Sequence, residues 1–229
     1  MPVVRDVAMG LTAREVLRHK QAKKYTKASP ALKDTFVELV HRVQEERLLE
    51  PAIAYQVHSL SDVLHEERRG GGNAPRRSAI WWPLPPGGDP FAAVVCTIGP
   101  RLEEEASDYF ENRRFGHALL LDSIGDIALE ALVRQAHWLV SCEAAASALV
   151  VEDTPRSTVL GSCKPGEWHP LSLAAGEQIG VTVSARGLVF PRKSACTLVD
   201  LQVQATSWPQ AEAVLARGRK EEPVVGSPG

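Results

Sequence analysis

A chain of 229 residues with 44% hydrophobic content can bury one sizeable core or two small ones. Its 26 lysines and arginines against 28 aspartates and glutamates leave a net charge of −2, which gives no electrostatic footprint for nucleic acid or an anionic membrane. No apolar run has membrane-spanning length, and the start, MPVVRDVAMG, lacks the apolar core of a secretion signal, so a soluble cytoplasmic protein is expected.

Cys96, Cys142, Cys163 and Cys196 are widely spaced and form no C-x-x-C pair. Reduced thiols are expected, with no metal site. In chain order, LTAREVLRHKQAKK at 11–24 predicts a short helix, with Thr12 as N-cap and Glu15 completing a capping box. Residues 28–51 predict a second helix, begun by Ser29 and Pro30 and ended by Pro51. Leu32, Phe36, Leu39, Val40 and Val43 recur on one face of it. AIAYQVHSL at 52–60 alternates and predicts a strand.

EERRGGGNAPRRS at 66–78 predicts a mobile loop, and AIWWPLPPGGDP at 79–90 a Pro/Gly connection carrying Trp81 and Trp82. The basic loop lacks the Gly-Lys-Ser/Thr ending of a phosphate-binding loop. PFAAVVCTIGP at 90–100 predicts a buried strand closed by Gly-Pro. RLEEEASDYFENRRF follows as a helix whose first turn holds Glu103, Glu104 and Glu105, favourable to the helix dipole and unfavourable to an anionic ligand there.

Residues 116–150 predict a long, central helix, apolar on most faces. Gly116, Ser123 and Gly125 form a small-residue side that lets another backbone come close. Asp122, Asp126 and Glu130 recur every four residues. Glu130 fits a solvated face. Asp122 and Asp126 interrupt an apolar stretch, where a carboxylate needs a partner, so they fit a structural or a binding role equally. His117 and His137 have no mates at ligand spacing.

GSCKPGEWHP at 161–170 holds a Pro-Gly turn, which alone is either an ordinary turn or part of a ligand loop. PLSLAAGEQI predicts a short helix. VTV and LVF flank SARG as a hairpin, SACTLVDLQVQA predicts a last strand, and 207–220 a terminal helix before a frayed tail. Arg192, Lys193 and Ser194 make a polar step before that strand, suited either to solvated charges or to a partner's anionic groups. Strands and helices do not alternate in βαβ order. The expected fold is α+β, with a twisted antiparallel or mixed sheet and surrounding helices. The expected organisation is a helical segment with a first strand at 1–60, a connection at 61–89, a core at 90–220 and a tail at 221–229, all in one compact domain.

Three segments, taken in order, resemble the reactivation domain of cobalamin-dependent methionine synthase, and more closely its free-standing bacterial relatives. They are TIGPRLEEEASDYFENRRFGHALLLDSIGDIALEAL at 97–132, the Pro-Gly loop at 162–168, and GVTVSARGLVFPRKSACTL at 180–198. REVLRHK and LLEPAIAYQV also fit, so the resemblance covers most of residues 10–205. It implies a twisted antiparallel sheet with helices around it and a shallow groove for S-adenosylmethionine. It also implies cobalamin carried by a partner, either a corrinoid-binding protein or a methyltransferase, with a flavodoxin-like or iron–sulfur electron donor.

The family loop reads Arg, any residue, a small residue, Pro, Gly, Tyr. Pro165 and Gly166 match it, Ser162 stands at the Arg position and Glu167 at the Tyr position, and Lys164 offers a substitute cation. A family carboxylate that meets the substrate's amino end falls at Asp126. The resemblance implies an S-adenosylmethionine site of Asp126, Ser162, Lys164, Pro165, Gly166 and Glu167, with Arg192, Lys193 and Ser194 as contacts to the corrinoid or its carrier. Two alternatives stand beside a reactivation activity: a binding partner that has lost the substrate, and an enzyme for another ligand. A zinc or nucleotide enzyme finds no motif.

Overall fold

The computed structural model describes residues 2–29, 31–58, 90–151, 156–159 and 173–203. The loop at 66–78, Trp81 and Trp82, the Pro-Gly loop and the terminal helix expected at 207–220 lie outside them.

The chain opens with β1 (Val3–Arg5) and three helices: α1 (Ala13–Arg18), α2 (Lys20–Ala28) and α3 (Ala31–Glu45). The capping box forms as expected: Thr12 Oγ1 accepts from Glu15 N–H at 3.2 Å, and Glu15 Oε2 accepts from Thr12 N–H at 3.1 Å. The single helix expected at 11–24 is two helices. His19 has an extended backbone (φ −65°, ψ 148°), ends α1 and caps α2 through its ring nitrogen. Ser29 caps the end of α2.

Helix α3 buries Phe36, Leu39, Val40 and Val43 as its spacing requires, but it stops well short of Pro51. Arg47 takes a left-handed φ of 50°, and the N–H groups of Arg47 and Leu48 close back on the carbonyls of Gln44 and Val43. This is a left-handed helix stop made without glycine.

The body of the sheet follows: β2 (Ala52–His58), β3 (Phe91–Thr97) and, at the far end of the chain, β8 (Ser194–Val203). Strand order is β1-β2-β3-β8, and the outer edge of β8 is lined in succession by β5 (Arg156–Val159) and β4 (Leu149–Val151). Every pairing is antiparallel. The chain is therefore α+β with an antiparallel sheet, as expected, and not a doubly wound parallel fold. A separate hairpin pairs β6 (Thr182–Val183) with β7 (Val189–Phe190), as VTV and LVF predict. The segment read as a short helix before it contributes a 3₁₀ turn at Gly176–Ile179.

Both faces of the sheet are covered, so alternation appears as a choice between two cores and not between core and water. Ile53, Tyr55, Ala92, Val94 and Cys96 join the core under the helices. Ala52, Ala54, Phe91, Ala93 and Val95 join the core under the 3₁₀ turn and hairpin. Between β3 and β4 run α4 (Arg101–Glu111) and the long α5 (Phe115–Ala146). Gly99, at φ +79°, turns the chain from β3 into α4, where a Cβ would meet that of Glu50 at 2.7 Å. Helix α5 is 32 residues and roughly 48 Å long. It packs beside α4 and across the sheet. No described helix is long and apolar enough to cross a membrane.

Candidate functional site

The polar step before β8 is held from several directions. At the first register position of the β3–β8 pair, Thr97 faces Ser194, and their hydroxyls lie 3.0 Å apart. The Ser194 hydroxyl donates to the carbonyl of Pro191 at 2.7 Å. The Lys193 carbonyl accepts from Ile98 N–H at 3.2 Å, and its N–H donates to the Glu103 carboxylate in the first turn of α4. Lys193 and Ser194 are therefore buried polar residues with their hydrogen bonds made, the condition that burial imposes.

This anchoring sends the Lys193 side chain across α5. Gly125 lets it pass: a Cβ there would lie 2.9 Å from Leu102 Cδ2 and 3.4 Å from Lys193 Cε. The close neighbours at Gly125 are thus side chains and not the backbone expected, and a Cβ at Gly116 would meet nothing within 4 Å among the described residues. Beyond Gly125, Lys193 Nζ donates to Asp122 Oδ1 at 2.8 Å and to Asp126 Oδ1. The lysine side chain is 11% exposed, Asp122 57% and Asp126 36%, so a nearly buried ammonium meets two carboxylates at the solvent boundary. Burial pulls the lysine pKa down, but the hydrogen bonds to Asp122 and Asp126 outweigh it and hold the group above its ordinary value. The partner that two carboxylates in an apolar stretch demand is Lys193.

The other oxygen of Asp126 faces α2. Gln21 Nε2 lies 3.5 Å from Asp126 Oδ2, and Gln21 Oε1 is buried with no hydrogen bond among the described residues. One turn along α5, Glu130 accepts from Arg134 at 2.7 Å and pairs with His19 Nε2 at 2.9 Å, which ties the α1–α2 corner to the long helix. Glu130 is thus the surface residue its spacing suggests. Gln21 and His19 carry no sequence signal for this location.

Arg192 points elsewhere. With Phe190, Pro191, Glu103, Glu104 and Arg5 it borders a groove of about 740 Å³, a volume typical of small-molecule sites. The groove and the Asp122–Lys193–Asp126 cluster share the turn at 190–193. Its lining includes Glu50 and Asp108 beside the carboxylates of the α4 start, in keeping with a surface unsuited to an anion. Ser162, Lys164, Pro165, Gly166 and Glu167 lie outside the described residues. Of the remaining expected site residues, the fold brings Lys193 onto Asp126, buries Ser194 as a structural anchor and leaves Arg192 exposed.

Among the described residues no cluster of histidine, cysteine, aspartate and glutamate could hold a metal ion. Cys96 and Cys196 are buried on opposite faces of the sheet, and burial pushes both thiols up, Cys196 to about 12. His137 is half-buried, which lowers its pKa, and the His117 ring lies tilted against Tyr109, 5.3 Å between centroids.

No protein-family model matches the chain, and no curated protein matches it in sequence. Among solved structures, its fold is similar to that of the MetH reactivation domain, crystallised with AdoHcy bound. The TM-score is 0.51 at 13% identity, covering 92% of this chain and 78% of the other. At that identity the likeness establishes the fold.

Proposed function

We propose that the chain is a reactivation module that binds S-adenosylmethionine and supports reductive methylation of a cobalamin carried by a partner protein. The observation that carries this reading is an architecture matched over 92% of the chain to a domain whose crystal structure holds AdoHcy. The resemblance read in the segments at 97–132, 162–168 and 180–198 agrees with it. In this reading Asp126 faces the ligand's ammonium, and the orphaned Oε1 of Gln21 beside it offers a second acceptor. The family resemblance assigns its carboxylate to Lys164 and the backbone around Gly166. The module's work is positional: it holds the sulfonium methyl in line with its acceptor and contributes no acid–base step. A corrinoid on the partner would supply the methyl acceptor and a flavodoxin-like or iron–sulfur donor the electron, while this chain's residues would hold only S-adenosylmethionine, whose demethylation would leave S-adenosylhomocysteine.

A second reading is a binding partner of a corrinoid methyltransferase that no longer takes S-adenosylmethionine. Two observations favour it: Ser162 stands where the family has Arg, and Asp126 is engaged by Lys193. Calorimetric titration with S-adenosylmethionine separates the two. The first reading expects saturable binding that Ser162→Arg tightens at least about tenfold, the worth of one charge-assisted hydrogen bond. Heat from neither protein leaves the second reading standing.

A further inference from the structure

We propose that Lys193 sets the affinity and selectivity of that site: its ammonium competes with the ligand's ammonium for Asp126, and Asp122 is the acceptor to which it retreats. The inference rests on the assignment of the ligand's amino end to Asp126.

Four observations carry it. First, Lys193 Nζ already touches both carboxylates, which lie one turn apart on the same helix, so moving from one to the other needs only its terminal torsions. Second, no Cβ at Gly125 obstructs the stem, whose Cε passes over that residue. Third, the carboxylates differ in setting. Asp122 is the more exposed, a solvated anchor for a displaced ammonium, whereas Asp126 is the more enclosed and faces Gln21. Fourth, Gln21 Oε1 is a buried acceptor with no hydrogen bond among the described residues, and Lys193 leaves it so. An incoming ammonium at Asp126 brings donors for both oxygens, which a lysine pinned between Asp122 and Asp126 does not. Selectivity follows: only a ligand with a free ammonium can take Asp126 from Lys193.

The test is a double-mutant cycle read by ligand affinity. Two probes are used: S-adenosylmethionine, and 5′-methylthioadenosine, which shares the nucleoside but has no amino-acid end. Lys193→Met should tighten S-adenosylmethionine at least about fivefold, the lower end of coupling between linked sites. Asp122→Asn removes the retreat and should weaken it by a similar factor. In the Lys193→Met background, Asp122→Asn should have no effect. 5′-Methylthioadenosine should bind all four proteins alike.

A lysine with a purely structural role predicts the opposite sign, weaker binding of both probes on its removal, and that result overturns the inference. So does an Asp122→Asn effect that persists without Lys193. Asp122 is exposed, so its variant remains informative if Lys193→Met unfolds the chain; there, unchanged affinity refutes the proposal. Binding by neither the unmodified chain nor Lys193→Met also refutes it. Ser162→Arg, titrated alongside, then shows whether the S-adenosylmethionine reading falls with it: binding by that variant keeps the reading and discards only the role of Lys193.

Discussion

Strand β3 and the polar step at its end, Thr97 opposite Ser194, are both buried, by opposite means. From Phe91 to Cys96 every β3 side chain is apolar and enters one of two cores. One register position on, at Thr97 opposite Ser194, the buried groups become polar, and the turn is held by hydroxyls, the Lys193 backbone and the Glu103 carboxylate. The first region is fixed by volume and tolerates little loss of it. The second is fixed by a chain of hydrogen bonds, and its product is direction: it aims a lysine at two aspartates on another element. Stability is concentrated in the strand, and the candidate chemistry begins where the strand ends.

The comparison breaks most sharply at Phe91. It is fully buried in the smaller core, and Phe91→Ala should cost about 3–5 kcal/mol, read as a lower urea midpoint. The turn should respond to shape-preserving loss of polarity. Thr97→Val removes the acceptor of the buried Gly99 N–H, at 3.2 Å, and the neighbour of Ser194. It should cost about 1–3 kcal/mol, the penalty for an unpaired buried group. A cost near zero would mean that the turn, like the strand, is held by packing.

A smaller effect is set by pH. Tyr55 lies on the helical face of β2, and its hydroxyl donates to Glu143. Burial, and then that carboxylate, raise its pKa to about 12. A raised pKa means that the stability contribution is intact below the ordinary tyrosine value near 10 and is lost as pH rises towards 12. Tyr55 alone should cost on the order of 1 kcal/mol at pH 11 relative to pH 8. Lys193, also raised, adds loss of the same sign above the ordinary lysine range. Urea midpoints at pH 8 and 11 for the unmodified chain and Tyr55→Phe check this: the alkaline drop should shrink in the variant.

Much of this architecture is legible in the sequence because local physics decides it. The capping box at Thr12 and Glu15, the apolar run of β3, the apolar length of α5 and the hairpin around SARG each need only neighbours within a few residues. The helix stop at Arg47 is illegible, because left-handed stops are usually marked by glycine and this one is not. The break at His19 carries no Gly or Pro signal: its ring caps α2 and pairs with Glu130, 111 residues away. The alternation of β2 is real but shows as Ile53 and Tyr55 against Ala52 and Ala54, since both faces are covered along Ala52–Tyr55.

The site divides in the same way. Asp126 stands out as a carboxylate in an apolar helix, and the need for a partner follows from that alone. The partner's identity does not, because Lys193 is 67 residues away and arrives through a pairing of β3 with β8. Gln21, reaching Asp126 from 105 residues away, is invisible to any local pattern.

The claim on which the account turns is that Asp126 receives the amino end of S-adenosylmethionine. Equilibrium dialysis of labelled S-adenosylmethionine against the unmodified chain and Asp126→Asn tests it directly, with urea midpoints confirming that both are folded. The account predicts saturable binding that the variant weakens at least about tenfold, the loss of one hydrogen bond to a charged group. Equal retention by the two proteins, or none by the unmodified chain, would contradict it.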